Sequence, residues 1–291
     1  MTDTNKNNGS ITPPAQTQDR QPGFEHEMEP RPVYICQDYK GSDKLKDKVA
    51  IVTGGDSGIG RAVSLHFARE GAKVVVVYLN EDKDAEETKK LIEDEKGECL
   101  LISGDLGDQA FCKSVVTKTL AHFNKIDVLV NNAGEQHPKN DFLDISSEQL
   151  EKTFQTNIFS MFYLTQAALP HMNKGSTIIN TSSVTAYGGS ADLIDYASTK
   201  GAITAFTRSL SENIVTNGIR VNGVAPGPIW TPLIPASFSE EKVGHFGANT
   251  PMKRPGQPSE VAPAYVYLAS DDSSYVSGQI IHVNGGTILN G

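Results

Sequence analysis

Tryptophan occurs once in this chain of 291 residues, cysteine three times, and aromatic residues make up only 7%. Cys36, Cys99 and Cys112 are scattered, which suggests neither a disulfide framework nor a close metal-type pair. The seven histidines form no H-E-x-x-H, and no metal site is expected. No apolar run approaches the length of a membrane span. The opening stretch, MTDTNKNNGSITPPAQ, has no apolar core of the signal-peptide kind, so a cytoplasmic location is the expectation. Cations are also in deficit: 26 Lys and Arg face 35 Asp and Glu, a net charge of -9. Such a chain is a poor non-specific partner for nucleic acid or an anionic membrane, and neither is expected. An anionic cofactor is not excluded, because a helix N-terminus binds phosphate locally.

Apolar residues reach 38%, with a mean hydropathy of -0.33, an ordinary soluble composition that can enclose a substantial core. Residues 1–44 differ from the rest of the chain. NKNNGS, TPPAQTQDRQPG and EPRP are polar and rich in breakers, and read as a flexible or surface-wrapping arm. VYI at 33–35 can anchor part of it, and nothing in the arm carries recognisable chemistry.

From residue 45 to 291 the pattern is a single α/β unit. KVAIVT, AKVVVVYL, ECLLISGD and IDVLVNNAG read as strands separated by helices at 58–71, 84–97 and 109–124. A long helix at 148–172, a strand STIINTSS, a helix at 194–216, a strand GIRVNGVAP, a helix at 258–270 and a strand GQIIHVNGG complete the alternation. Continuous apolar strands between helices indicate a parallel sheet covered on both faces. The expectation is one Rossmann-like, doubly wound domain with seven parallel strands in order 3-2-1-4-5-6-7.

TGGDSGIG, residues 53–60, joins the first strand to the first helix. Gly54, Gly58 and Gly60 allow a tight turn and close backbone approach, and free N–H groups at the helix start can receive a pyrophosphate. Their spacing is not the common G-x-G-x-x-G. Asp105, after the third strand, can accept from an adenine amino group or cap the next helix. NNAG at 131–134 ends the fourth strand with residues small enough for a ribose or nicotinamide to approach, or forms a tight turn. In YASTK, Tyr196 and Lys200 lie one helical turn apart. That pair is either an ordinary packed helix face or an acid–base centre in which the lysine lowers the phenol pKa. On a doubly wound sheet, strand ends face one crevice, so Ser183 at the end of strand five can meet both.

TGGDSGIG, NNAG, Asn157, Ser183, YASTK and PGPIWT occur in the order seen in classical short-chain dehydrogenases/reductases, and residues 45–291 resemble that family. Within it the chain is similar to bacterial general-stress and uncharacterised oxidoreductases with an N-terminal extension. The resemblance implies an NAD(P)-dependent enzyme that transfers hydride between nicotinamide and a small carbonyl or alcohol substrate. It assigns Tyr196 as general acid/base, Lys200 to the phenol and the nicotinamide ribose, Ser183 to the substrate oxygen, and Asn157 to a water in a proton relay. It extends the cofactor contacts to Asp56, Ser57, Ile59, Leu106, Asn132, Ala133, Gly134, Pro226, Gly227, Ile229 and Thr231. It also implies a homotetramer. The alternative is a nucleotide-binding regulatory or redox-sensing protein with little turnover, which the presence of both Tyr196 and Lys200 disfavours. Ser183 has neither a G-x-S-x-G elbow nor an evident histidine partner, so a hydrolase is not expected.

For cofactor choice, the family's acidic position falls on Val77 and its basic position on Leu79. Asp56, Glu81 and Asp82 would repel a 2'-phosphate, with Lys83 or Arg61 as its answering cations. A slight preference for NAD over NADP is the expectation. Residues 227–257 read as a lid with one short helix, in which Trp230, Leu233, Ile234 and Phe238 line the substrate region or pack the lid on the body.

Overall fold

The computed structural model describes residues 5–7 and 10–289. Seven strands form one parallel sheet: β1 (Val49–Thr53), β2 (Lys73–Tyr78), β3 (Cys99–Ser103), β4 (Ile126–Asn131), β5 (Met172–Thr181), β6 (Arg220–Pro226) and β7 (Ile280–Val283). Their order is 3-2-1-4-5-6-7, as expected from the alternation. Val74 to Val77 are fully buried in β2. A β-branched run of this kind suits a strand covered on both faces. One face packs Phe67 and Tyr265 from helices α1 (Gly58–Arg69) and α9 (Pro258–Ala269) against Val52, Val76 and Val130. The other packs Leu129, Ile178 and Val221 against α3 (Gln109–Phe123) and the helix at Ser160–Ala168. The remaining sheet-flanking helices are α2 (Asp82–Asp94) and α7 (Ile194–Ile214).

Local chemistry sets several boundaries. Asp108 caps α3 by accepting from the Ala110 N–H at 2.8 Å. Asp105 is therefore not the cap; it accepts from Gly107 N–H at 2.7 Å. At α9, Pro258 stands in the first turn and Gln257 and Glu260 form a reciprocal capping box.

The long helix expected at 148–172 is interrupted. It runs as α4 (Ser147–Phe154), a π turn at Gln155–Phe159 and α5 (Ser160–Ala168). A 3-10 turn carrying Pro170 ends it, and Met172 already belongs to β5. The proline has no N–H to continue the helix. The π turn carries Asn157, which is fully buried.

From Thr12 onward the arm lies against the body. A short antiparallel pair, Asn5–Asn7 with Ser10–Thr12, precedes it. Gln18 N–H donates to Pro235 O at 2.8 Å, the Trp230 indole N–H to Pro30 O at 2.9 Å, and Ser259 N–H to Val33 O at 3.0 Å. Met28 packs with Trp230, Ile234 and Val243, so the arm and the lid share a small core. Trp230 is 1% exposed, and its role is packing; it does not line the cleft. The lid contains one helical turn, α8 (Glu240–Val243), and another short helix, α6 (Thr185–Gly188), follows β5.

Candidate active site

The carboxyl ends of β1, β2, β4, β5 and β6 open into one cleft of about 380 Å³. Its floor at one end is the turn between β1 and α1. Gly58 has φ +51°, a left-handed conformation that a side chain would strain. At Gly60 an added Cβ would lie 1.8 Å from Gly54 O, so the helix can only start this close to the turn with glycine there. Gly54, Asp56, Ser57, Gly58 and Ile59 face the cleft, whereas Gly60 serves the turn from behind. Asn132 ties the turn to the sheet: its amide donates to Thr53 O at 3.0 Å and its carbonyl accepts from the Thr181 hydroxyl at 3.2 Å. Ala133 and Gly134 continue the wall, with Asp105 and Leu106 beyond them and Pro226, Gly227, Ile229 and Thr231 opposite.

At the other end Ser183, Tyr196 and Lys200 come together, all lining the cleft and all buried. Ser183 leaves β5 and accepts from Thr185 N–H at 3.1 Å, so its own proton is free to be donated. Its hydroxyl stands close enough to the Tyr196 phenol to favour the ionised form. The Lys200 ammonium lies 5.3 Å from the Tyr196 ring centroid and donates to Thr181 O at 2.9 Å. Burial pushes the Tyr196 phenol up to about 12, against the lowering effect of the Ser183 hydroxyl. Burial pushes the Lys200 ammonium down to about 8. The spacing in YASTK suggests a phenol lowered by the lysine; in this arrangement desolvation of both groups dominates.

Asn157 does not line the cleft. Its side chain holds the segment after β4, donating to Glu135 O at 2.9 Å and Thr199 Oγ1 at 3.1 Å and accepting from Glu135 N–H at 2.9 Å. With these bonds made, any part it takes in a relay runs through its backbone, where a π turn displaces the carbonyls from helical register.

Asp56 of the glycine turn and Glu81 beyond the tip of β2 are buried and line the cleft. Burial first, and then the neighbouring Glu81, pushes the Asp56 carboxyl up to about 7. Asp82 is exposed and accepts from the Tyr78 hydroxyl at 2.9 Å. Neither of the cations expected to answer a phosphate is in place. Lys83 is exposed and off the cleft. Arg61 is fully buried behind the turn, where it meets Glu25 at 2.6 Å, Asp84 at 3.5 Å and Glu87 at 3.3 Å.

Several lining residues carry no motif signal: Pro22 and Gly23 of the arm, and Glu135, Gln136, Thr185, Leu193 and Phe246. Gln136 lies just beyond NNAG, and that proximity is the only sequence signal for it. Buried atoms without a hydrogen-bond partner include Glu135 Oε1, Thr156 Oγ1 and Thr185 Oγ1, all on cleft-lining residues. Unpaired buried polar atoms are costly unless a ligand or water satisfies them. Together with the glycine turn, they make the cleft fit a polar dinucleotide and its substrate. No group of residues suited to holding a metal occurs among the described residues.

This fold and this side-chain set define a short-chain dehydrogenase/reductase, and the chain belongs to that family. A family model described as enoyl-(acyl carrier protein) reductase matches residues 54–287. At 65% identity over 280 residues the chain is similar to the uncharacterized oxidoreductase YhxC of Bacillus subtilis, covering 96% of this chain and 98% of that one. It is 55% identical to an NADPH-dependent aldehyde reductase 1, chloroplastic, of Arabidopsis thaliana, covering 94% and 98%. A solved short-chain glucose/ribitol dehydrogenase from Brucella melitensis superposes with TM-score 0.76 at 30% identity, covering 87% of this chain and 100% of that one. The protein is thus an oxidoreductase of a family that uses NAD(P). No helix among the described residues is long and apolar enough to cross a membrane.

Proposed function

We propose that the protein interconverts a small carbonyl compound and its alcohol, with Tyr196 as general acid in reduction and general base in oxidation. The observation that carries this reading is the meeting of Ser183, Tyr196 and Lys200 in the cleft that begins at the glycine turn. When bound, the nicotinamide dinucleotide supplies or accepts the hydride. A phenol pushed up to about 12 stays protonated at neutral pH, as a proton donor must. The Ser183 hydroxyl donates to the substrate oxygen and stabilises charge developing there. Lys200, still mostly charged at pH 7, holds the ribose and offsets negative charge on the phenol oxygen. Asn157 fixes the segment after β4 and contributes to a proton relay through its backbone.

The substrate region mixes apolar Leu233, Phe238 and Phe246 with polar Glu135, Gln136 and Thr185. That mixture supports a small hydroxylated aldehyde or ketone, such as a sugar-derived carbonyl. Both dinucleotides enter, with a slight preference for NAD, because buried Asp56 and Glu81 stand where a 2'-phosphate would be repelled. The chain assembles as a homotetramer. Partly exposed Phe159 and Phe162 around α5, beside Phe206 of α7, give it an apolar face for such contacts.

The test is a panel of aldehydes, sugars and polyols assayed with each dinucleotide, following nicotinamide absorbance. Turnover of at least one carbonyl/alcohol pair is expected. Binding of dinucleotide with no hydride transfer across the panel would overturn the reading in favour of a regulatory or redox-sensing protein.

A further inference from the structure

The family match begins at residue 54, so the arm lies outside it. Yet the arm reaches three edges of the cleft. Gln18 closes a loop over residues 18–24: its amide oxygen accepts from Phe24 N–H at 2.6 Å and its amide nitrogen donates to Phe24 O at 2.7 Å. On the lid side, Gln18 N–H donates to Pro235 O. Above the segment after β4, Gln21 and Gln136 exchange two bonds of 2.8 Å each. At the tip of β2, the Arg20 guanidinium donates to Asn80 Oδ1 at 2.6 Å and to Glu81 Oε1 at 3.1 Å.

Arg20 is held by more than these bonds. Its guanidinium carbon lies 3.7 Å from the centroid of the Phe24 ring. Phe24 is fixed in turn, because the next residues are clamped to α2: Glu25 and His26 N–H donate to Asp84 at 2.8 and 3.0 Å. Glu25 then turns under the glycine turn, where it accepts from Gly58 N–H and from Arg61, both at 2.6 Å. Pro22 and Gly23 face the cleft itself.

We propose that the arm loop of residues 18–24 is a working part of the dinucleotide site, and that Arg20 and Glu81 together read the 2' position of the adenosine ribose. The proposal rests on the reading of the cleft as a nicotinamide dinucleotide site. Glu81 stands 21 residues after Gly60 and three past the end of β2, beyond the Val77 position of the family's acidic residue but close enough to the strand tip to meet a 2'-hydroxyl. Arg20 is the cation paired with it, with a side chain one-third exposed. It can hold Glu81 for the hydroxyl of NAD or turn towards the phosphate of NADP. A guanidinium from outside the stretch that the family model matches thus balances Glu81, which would otherwise repel the phosphate of NADP. Asn80 is the neutral acceptor that keeps the guanidinium at the strand tip between these states.

Direct titration of the full-length protein with NAD⁺ and NADP⁺ by calorimetry tests this, since it requires no substrate. Arg20→Ala is expected to weaken NADP⁺ by about tenfold, the scale of one lost charge-assisted bond, and NAD⁺ by no more than about threefold. Arg20→Lys should recover much of the loss by restoring the charge. Glu81→Gln should move the selectivity ratio the other way, favouring NADP⁺. A ratio unchanged within about twofold in both Arg20→Ala and Glu81→Gln, or equal losses for both dinucleotides, would overturn the proposal. Parent protein that binds neither dinucleotide would instead overturn the reading of the cleft itself.

Discussion

At the end of the cleft proposed to take the nicotinamide, Ser183, Tyr196 and Lys200 come from one strand end and one helix, Lys200 lying 17 positions after Ser183. At the adenosine end, Arg20, Asp56 and Glu81 come from the arm, the glycine turn and the tip of β2. The first group is rigid because Tyr196 and Lys200 sit on α7 and Ser183 follows closely on β5, all buried in the body. The second is rigid only while the arm is docked. In the proposed reading the chemistry sits on the sheet and α7, and cofactor discrimination on a segment locked to the body through Glu25, Gly58 and Arg61.

The largest effect should come from the dock. Arg61, Glu25 and Asp84 are each fully buried and interlocked. Burial raises the Glu25 pKa, and Arg61 is the main group opposing that rise. Arg61→Ala leaves buried Glu25 with only the Arg31 cation at 3.9 Å and buried Asp84 with only the His26 ring at 3.0 Å, and breaking such a buried set costs about 3–5 kcal/mol. Urea unfolding of the parent and the variant measures it. A loss below about 1 kcal/mol, the scale of an exposed pair, would show that the arm is held by something else.

Tyr196→Phe acts at the opposite end and should spare the dock. It keeps the ring but removes the proton-transfer oxygen, so reduction should fall by about 10²-fold or more. Dinucleotide affinity and the urea midpoint should stay near the parent values. Near-parental turnover in a folded Tyr196→Phe protein would sink the mechanism and return YASTK to an ordinary helix face.

The two ends are also unequally legible. TGGDSGIG, NNAG and YASTK each compress a constraint into a few adjacent residues, and β-branched runs announce buried parallel strands. Strand order and the residues of the nicotinamide end are therefore readable from local patterns. The arm's partners are remote: Arg20 meets Glu81 across 61 positions, and Pro30 meets Trp230 across 200. Single polar residues in a breaker-rich stretch carry no period, so RQPGFEHE reads as empty of chemistry. Arg61 misleads for a related reason. Its place in the first turn of α1 suggests phosphate, but its face of the helix is set by Glu25 and Asp84. The break after Ala168 is hidden by the apolar run LTQAALPHM, in which only Pro170 hints that the helix stops.

Smaller effects should separate the ends by pH. With its ammonium pushed down to about 8, Lys200 loses charge where an ordinary lysine, near 10.4, keeps it. Dinucleotide affinity in the parent should weaken by roughly threefold to tenfold between about pH 7 and 9.5, as one charge-assisted contact is lost. Lys200→Met should bind more weakly at pH 7 and show no such limb. A limb of equal size in Lys200→Met would assign it elsewhere.

The last expected effect lies at the proposed adenosine end, in Asp56. Its folded carboxyl is pushed up to about 7, from an unfolded value near 3.8. The folded state therefore holds this proton more tightly than the unfolded state does. Stability from this group is fully present below the unfolded value and is lost as pH rises through the folded one. An amide at this position has no proton to lose. The stability of the parent minus that of Asp56→Asn should therefore fall between about pH 4 and pH 7.5, whatever other groups titrate in both proteins. Urea midpoints at several pH values across that window give the difference directly. A difference that rises with pH would mean that Asp56 is stabilised as a carboxylate, held by a partner rather than pressed by Glu81. Glu81→Gln removes the like charge but leaves the burial, so it should reduce the fall without abolishing it, since burial is the larger cause. Complete loss of the fall in Glu81→Gln would reverse that ranking, with repulsion between the two carboxylates outweighing burial at this end of the cleft.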